Sequence, residues 1–178
     1  MNFTDLPVIA TERLLLRPVT LDDVPDIFAF TSNPITSEWL TWYPHQTPAD
    51  TARFVSSTLV KYETNAPAQW VMANKDDDKV IGICGFVNYS AYDENGEVAY
   101  VVSPDYWGRG LLTEALTAII QWAFAHGGLS RIEARCEVGN VASERAMQKA
   151  GLRLEGECIK FLKRKGVLRD YRLYAITR

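Results

Sequence analysis

The sequence predicts an α/β chain built on a mixed sheet, and three observations carry that expectation. Runs at 69–74, 80–89 and 97–102 are apolar and separated by short polar turns, the pattern of successive antiparallel strands. The run at 131–137 is separated from 97–102 by the helical pattern of 111–126, so those two strands must lie parallel. Composition is globular: of 178 residues, 47% are hydrophobic and 23% charged, enough for a core that needs no metal or disulfide staple. A single domain over 1–178 is expected.

The elements follow in order. Leu14 to Pro18 reads as a first strand, and Thr20-Leu21-Asp22-Asp23 opens a helix carrying Val24, Ile27, Phe28 and Phe30, with Thr20 or Asp22 as its cap. Residues 32–48 hold Pro34, Pro44 and Pro48 among Trp39, Trp42, Tyr43 and His45, a stretch too broken for a long helix but rich in aromatic area. A helix follows over 49–63. Strands 69–74 and 80–89 flank Lys75-Asp76-Asp77-Asp78-Lys79, whose three aspartates read as a solvated turn before a metal site. After the turn Asp93-Glu94-Asn95-Gly96 comes strand 97–102. The helix 111–126 places Leu112, Leu116, Ile119, Ile120 and Ala123 at helical spacing and stops at Gly127-Gly128. Strand 131–137, a short helix over 142–150 closed by Gly151, strand 152–161, a basic turn at 163–166 and strand 167–176 complete the chain.

Between strand 97–102 and the following helix lies Pro104-Asp105-Tyr106-Trp107-Gly108-Arg109-Gly110-Leu111-Leu112-Thr113-Glu114. Glycines at 108 and 110 let backbone N–H groups approach an anion, and the first helical turn adds unpaired donors and a partial positive charge. The run reads as a phosphate cradle. It lacks the Gly-Lys-Ser/Thr ending of a P-loop and the G-x-G-x-x-G spacing of a dinucleotide site, which disfavours both classes. Net charge of −3 and a pI near 5.4 leave no basic footprint, so nucleic acid is not an expected partner, whereas a cationic amine or basic peptide is favoured. Cys84, Cys136 and Cys158 are odd in number without C-x-x-C spacing and read as reduced thiols. No apolar segment approaches the roughly 20 residues of a membrane span, and the first residues lack the features of a signal peptide. No membrane partner is expected, and the cytoplasm is the expected compartment.

Glu97 to Pro104, the 107–112 loop and Asn140-x-x-Ser143-x-Arg145-Ala146-Met147-x-Lys149-Ala150-Gly151-Leu152, with Thr11-Glu12-Arg13-Leu14-Leu15-Leu16-Arg17-Pro18 upstream, together resemble the GNAT N-acetyltransferases. The likeness is to the Rim-type branch, which includes ribosomal-protein N-terminal acetyltransferases. It implies a mostly antiparallel central sheet with a splayed parallel strand pair, flanked by helices. It also implies acetyl-CoA as acetyl donor and no metal, with pyrophosphate in the 107–112 loop and the pantetheine arm between 97–102 and 131–137. Donor contacts then fall on Tyr100, Val101, Val102, Trp107, Gly108, Arg109, Gly110, Leu111, Leu112, Thr113, Asn140 and Ser143, with a backbone N–H near Val101 as oxyanion donor. Two positions depart from the family pattern: Trp107 stands where many members carry Gln or Arg, and Leu112 where they carry Gly or Ala.

Neutralising the amine falls to Glu97, directly or through water; its alternative is a solvated carboxylate at a strand end. Many relatives place a tyrosine seven residues after the asparagine. Met147 occupies that position and cannot donate a proton, so the resemblance carries the thiol-side acid to Ser143 and a pantetheine contact to Asn140. Both residues are also what a helix N-cap looks like. Arg145 and Lys149 either reach the adenosine phosphate or face solvent, and His126 reads as a favourable charge at a helix end. Acceptor walls are expected from Trp39, Tyr43, His45 and Tyr89, with Trp42, Tyr92 and Tyr171 nearby. The implied reaction is direct acetyl transfer in a ternary complex to a primary amine. A protein or peptide N-terminal α-amine, such as a ribosomal protein's, is the favoured acceptor. The rival is a small amine such as a polyamine, amino acid or antibiotic; a non-catalytic coenzyme A-binding module and a nucleotide-binding protein represent other classes. The resemblance allows a monomer or a homodimer, and the reading leans to the dimer.

Overall fold

The computed structural model describes residues 1–178. In chain order the elements are β1 (Ile9–Ala10), β2 (Leu14–Arg17), α1 (Val24–Thr31), α2 (Pro48–Glu63), β3 (Gln69–Asn74), β4 (Val80–Ser90), β5 (Asn95–Val102), α3 (Leu111–His126), β6 (Arg131–Glu137), α4 (Val141–Lys149), β7 (Arg153–Arg164) and β8 (Val167–Thr177). Short 3-10 turns at Leu21–Asp23 and Pro104–Tyr106 lead into α1 and the Gly108 loop. The strands form one sheet in the order β1-β2-β3-β4-β5-β6-β8-β7. Every neighbouring pair is antiparallel except β5 with β6, so the expected mixed sheet with one parallel pair is the observed one.

Two apolar clusters fix the layers. Trp70, Met72, Phe86 and Val98 of the sheet pack with Leu116 and Ile119 of α3 and Met147 of α4. On the opposite face Val71 and Ile83 pack with Ile27 and Phe30 of α1 and Val55 of α2. No helix is long and apolar enough to cross a membrane.

Departures from the sequence reading are local. The first helix begins with a separate 3-10 turn because the Asp23 carboxylate accepts from the Thr20 N–H at 2.7 Å and from Arg17 Nη2 at 2.7 Å, tightening the chain before α1. Pro25 then sits in the first turn of α1, where a missing N–H costs no helical bond. β7 extends to Arg164, and the expected four-residue turn shrinks to Lys165 and Gly166, whose φ values of 49° and 86° suit a two-residue hairpin. β1 had no periodicity to announce it. Residues 32–47 form turns without a helix, as their prolines require.

β5 and β6 pair from Asn95↔Arg131 only as far as Val98↔Ala134. Beyond that point β5 stays with β4 through Val102, and β6 stays with β8 through Glu137. The two strands therefore part and leave a wedge open at their C-terminal ends.

Candidate active site

The cradle loop joins the C-terminal end of β5 to the start of α3. Gly108 and Gly110 adopt φ of 74° and 78°, and α3 starts at the next residue. A Cβ at Gly108 would meet nothing within 4 Å, so the backbone sign rather than crowding calls for glycine there. Trp107 folds back and donates from Nε1 to the Val102 carbonyl at 2.8 Å. Arg109 donates from Nη2 to the Asp105 carbonyl at 2.7 Å, its guanidinium 4.9 Å from the Tyr106 ring centre. Tyr106 in turn donates to Asp77 at 2.7 Å, so one of the three turn aspartates props the loop.

A cavity of about 420 Å³ opens where the cradle, the strand wedge, α4 and residues 35–40 meet. Eleven of the twelve expected donor contacts line it: Tyr100, Val101, Val102, Trp107, Gly108, Gly110, Leu111, Leu112, Thr113, Asn140 and Ser143. Arg109 is turned away onto Asp105 and Tyr106. Arg145 and Lys149 also line the cavity. The sequence reading missed Ile35, Thr36, Leu40, Tyr106, Ala142 and Ala146. Ala142 and Ala146 lie one turn apart on α4, and such a small-residue face beside an expected ligand was a readable signal. Residues 35–40 have no periodicity to betray their wall. Thr36 nevertheless buries an Oγ1 that has no hydrogen-bond partner.

Ladder alternation decides which backbone groups face the wedge. The Ser103 N–H donates to the Ile81 carbonyl at 2.7 Å, so the next hydrogen-bonded pair is Val101 with Ile83, and Val101 turns its N–H and C=O toward β4. Tyr100 and Val102 turn theirs toward the wedge. With the Val102 carbonyl already held by Trp107, the Val102 N–H is the free donor there.

Across the wedge the Tyr100 hydroxyl and Ser143 Oγ stand 2.6 Å apart. The Ser143 N–H donates to Asn140 Oδ1 at 3.2 Å, so Asn140 caps α4 and lines the cavity at once. Burial pushes the Tyr100 phenol well above its ordinary range despite the opposing hydrogen bond from Ser143. Burial likewise lifts the neighbouring Cys136 thiol to about 11; Glu144 adds to the rise and Ser143 opposes it. Met147 is fully buried in the core, so its side chain is packing.

Other expected residues lie outside the cavity lining. Glu97 sits on the opposite face of β5 from Tyr100 and pairs with Arg135 at 2.5 Å; Arg135 also holds Glu133 at 2.9 Å. Of the four acceptor residues, Trp39 alone lines the cavity. Tyr43 is 66% exposed, with the Lys165 ammonium 5.6 Å from its ring centre. His45 Nδ1 bonds Thr51 Oγ1 at 2.8 Å between the rings of Trp42 and Phe54, and burial depresses its pKa. Tyr89 packs edge-on to Phe3 and accepts from the N-terminal ammonium, apart from the cavity. The β7–β8 hairpin tip, whose role the sequence reading left open, braces residues 37 and 38 next to Trp39 without lining the cavity itself. Arg164 pairs with Glu137 and donates to the Glu38 carbonyl at 2.6 Å, while Lys165 donates to the Ser37 carbonyl at 2.8 Å.

The sequence pattern of the acetyltransferase (GNAT) domain matches residues 13–153. The chain belongs to the GNAT acetyltransferases. It is similar to the uncharacterized N-acetyltransferase YoaA of Bacillus subtilis, 26% identical over 172 residues and covering 97% of each chain. It is also similar to the ribosomal-protein-serine acetyltransferase of Escherichia coli, 28% identical over 115 residues, 65% of this chain and 63% of that one. A crystal structure of a GNAT-family acetyltransferase from Bacillus anthracis superposes with a TM-score of 0.86 at 27% identity, covering 96% of this chain and 98% of the other. This GNAT chain is an acetyl-CoA-dependent N-acetyltransferase, and its residues fit that donor. Left-handed glycines open the cradle for a diphosphate, and the Val102 N–H and the backbone groups of Tyr100 face the wedge for an amide-bearing arm.

Proposed function

We propose that the enzyme acetylates the N-terminal α-amine of a protein or peptide, a ribosomal protein among the candidates, by direct transfer in the cytoplasm, and that 1–178 act as one catalytic domain. The reading is carried by the hydroxyl pair of Tyr100 and Ser143 at the mouth of the strand wedge. Acetyl-CoA supplies the acetyl group as a thioester. The Val102 N–H donates to the carbonyl oxygen as it gains negative charge. Ser143, held by Asn140 through its own N–H and by Tyr100 through its hydroxyl, hydrogen-bonds the departing sulfur and relays it a proton, which solvent restores to the serine in the same step so that no alkoxide is left.

Glu97 takes the amine proton through water. Three residues along a strand span roughly 10 Å, so Glu97 stands more than one hydrogen bond from the level of Tyr100. Its pairing with Arg135 orients the carboxylate on the face of β5 turned away from α3. Support for a peptide acceptor comes from the name of the Escherichia coli relative and from the sheet itself, where β7 is exposed along nearly its whole length beyond the wedge. The test is thiol release from acetyl-CoA against N-terminal peptides and small amines, with a control lacking acceptor. Turnover with peptides alone is the expected result; turnover confined to polyamines, amino acids or aminoglycosides overturns the acceptor assignment.

A further inference from the structure

The turn before β2 reaches the phosphate cradle, and nothing in the reaction scheme above uses it. Thr11 and Arg13 are tied to the sheet: the Thr11 N–H donates to the Leu14 carbonyl at 2.9 Å, and the Lys75 N–H donates to the Arg13 carbonyl at 2.9 Å. From that fixed base both residues grip Glu114 in the first turn of α3. Glu114 accepts from Thr11 Oγ1 at 2.6 Å, from the Arg13 N–H at 2.8 Å and from Arg13 Nε at 2.7 Å. The guanidinium then continues past Glu114 and donates from Nη1 to the carbonyl of Arg109 at 2.9 Å.

That last bond falls on the residue between the two left-handed glycines. A peptide plane has its N–H and C=O on opposite sides, so holding the Arg109 carbonyl fixes where the Gly110 N–H points. Loops with two such glycines have several backbone states of similar energy, and only those with converging N–H groups form an anion nest. Arg109, the cradle's own arginine, is spent on Asp105 and Tyr106. Arg13 also stands beside the loop, with Nη2 3.7 Å from where a Gly110 Cβ would lie. Glu114 cancels most of its charge and leaves it the geometry of a strut.

We infer that Arg13 is a positioning residue for the donor site: through Glu114 and the Arg109 carbonyl it holds the Gly108–Gly110 loop in the form that accepts the diphosphate. The role is separable from catalysis, because the strut lies at the phosphate end and the hydroxyl pair at the acetyl end. It is also separable from overall folding, because the Arg13 side chain is 42% exposed.

The test uses Arg13→Gln, Arg13→Lys and Glu114→Gln in the full chain, titrated with acetyl-CoA and with acetyl-pantetheine, which shares the acetyl-bearing arm but carries no phosphate. Tryptophan fluorescence reports binding, since Trp107 and Trp39 line the cavity. Arg13→Gln is expected to weaken acetyl-CoA about tenfold and to change acetyl-pantetheine less than twofold. Arg13→Lys, which keeps the charge but cannot hold Glu114 and the carbonyl together, is expected to behave the same way. Glu114→Gln is expected to lose about threefold on acetyl-CoA alone. Unchanged acetyl-CoA affinity in Arg13→Gln, or equal weakening of both ligands, overturns the assignment; full recovery in Arg13→Lys replaces the strut with plain charge attraction.

Discussion

Tyr100 Oη and Ser143 Oγ lie 2.6 Å apart across the point where two parallel strands separate, one on β5 and the other on the first turn of α4. Each hydroxyl can both donate and accept, so one proton is shared between them and a second is left to point into the cavity. Ser143→Ala is expected to lower kcat by about 100-fold while leaving the acetyl-CoA KM within about threefold, the signature of a proton donated only in the transition state. Tyr100→Phe is expected to cost about tenfold in kcat, because Ser143 keeps its place through Asn140 but loses its second anchor. Steady-state kinetics decides both. A Ser143→Ala enzyme with wild-type kcat removes the serine from the chemistry.

Burial keeps the Tyr100 phenol protonated above its ordinary titration range near pH 10. A phenol whose pKa is raised stays a donor as pH climbs, so it contributes no alkaline loss of activity below about pH 10. The pH profiles of wild type and Tyr100→Phe are expected to run parallel from pH 7 to 10. An alkaline limb near pH 9 in the wild type that vanishes in Tyr100→Phe contradicts this.

Gly108 and Gly128 give a paired test of the cradle. Both have left-handed φ, 74° and 67°, and a Cβ on either meets nothing within 4 Å. Alanine at either position is expected to cost about 1–2 kcal/mol of stability from the backbone alone. Gly108→Ala is expected to weaken acetyl-CoA binding at least fivefold in addition, whereas Gly128→Ala, beyond the far end of α3, leaves it unchanged. Denaturant titration and ligand titration on the same two samples separate the effects.

The elements, and the residues expected at the donor end that line the cavity, were legible because each rests on local chemistry. The two glycines, the strand before them and the Asn140–Ser143 cap all signal through neighbours in sequence, and eleven of the expected donor residues line one cavity. The acceptor half rests on tertiary contacts that no local pattern encodes. Trp39 reaches the cavity because Arg164 and Lys165, far along the chain, hold the carbonyls of Glu38 and Ser37. Tyr89 stays away because Phe3 and the N-terminus claim it. Val101 illustrates a subtler limit: the strand was legible, but which of its N–H groups faces the wedge depends on the ladder phase with β4, which the Ser103–Ile81 bond sets.

Arg17 and Asp23 govern acid stability near α1. Burial pushes the Asp23 carboxyl up, but hydrogen bonds from Arg17 and Thr20 outweigh it and leave the pKa below the usual carboxylate range. A depressed folded pKa means the stabilisation is present above the unfolded value of about 4 and is lost as pH falls through the lower folded value. Asp23→Asn is expected to lose about 2 kcal/mol at pH 7, where a charged hydrogen-bond partner is removed, and to show a smaller deficit at pH 2 than at pH 7. Urea unfolding at the two pH values measures this; an equal deficit at both means that shape rather than charge holds the turn.

The hairpin tip joins stability to acceptor binding through Glu137 and Arg164. The Glu137 side chain is 7% exposed and accepts from Arg164 Nη2 at 3.0 Å, while Arg169 Nε lies 3.8 Å from the same carboxylate. Removing the arginine leaves a buried carboxylate with a single distant cation, so Arg164→Ala is expected to cost about 3 kcal/mol. Glu137→Gln combined with Arg164→Ala is expected to recover more than half of that, because the charge that needed compensation is gone. The same guanidinium pins the Glu38 carbonyl beside Trp39, whose ring centre lies 5.8 Å from it. The double variant, stable but lacking that pin, is therefore expected to raise the acceptor KM about tenfold with the acetyl-CoA KM within twofold. Equal rises in both KM values mean that the hairpin braces the whole cavity, and unchanged acceptor KM removes residues 37–39 from the acceptor wall.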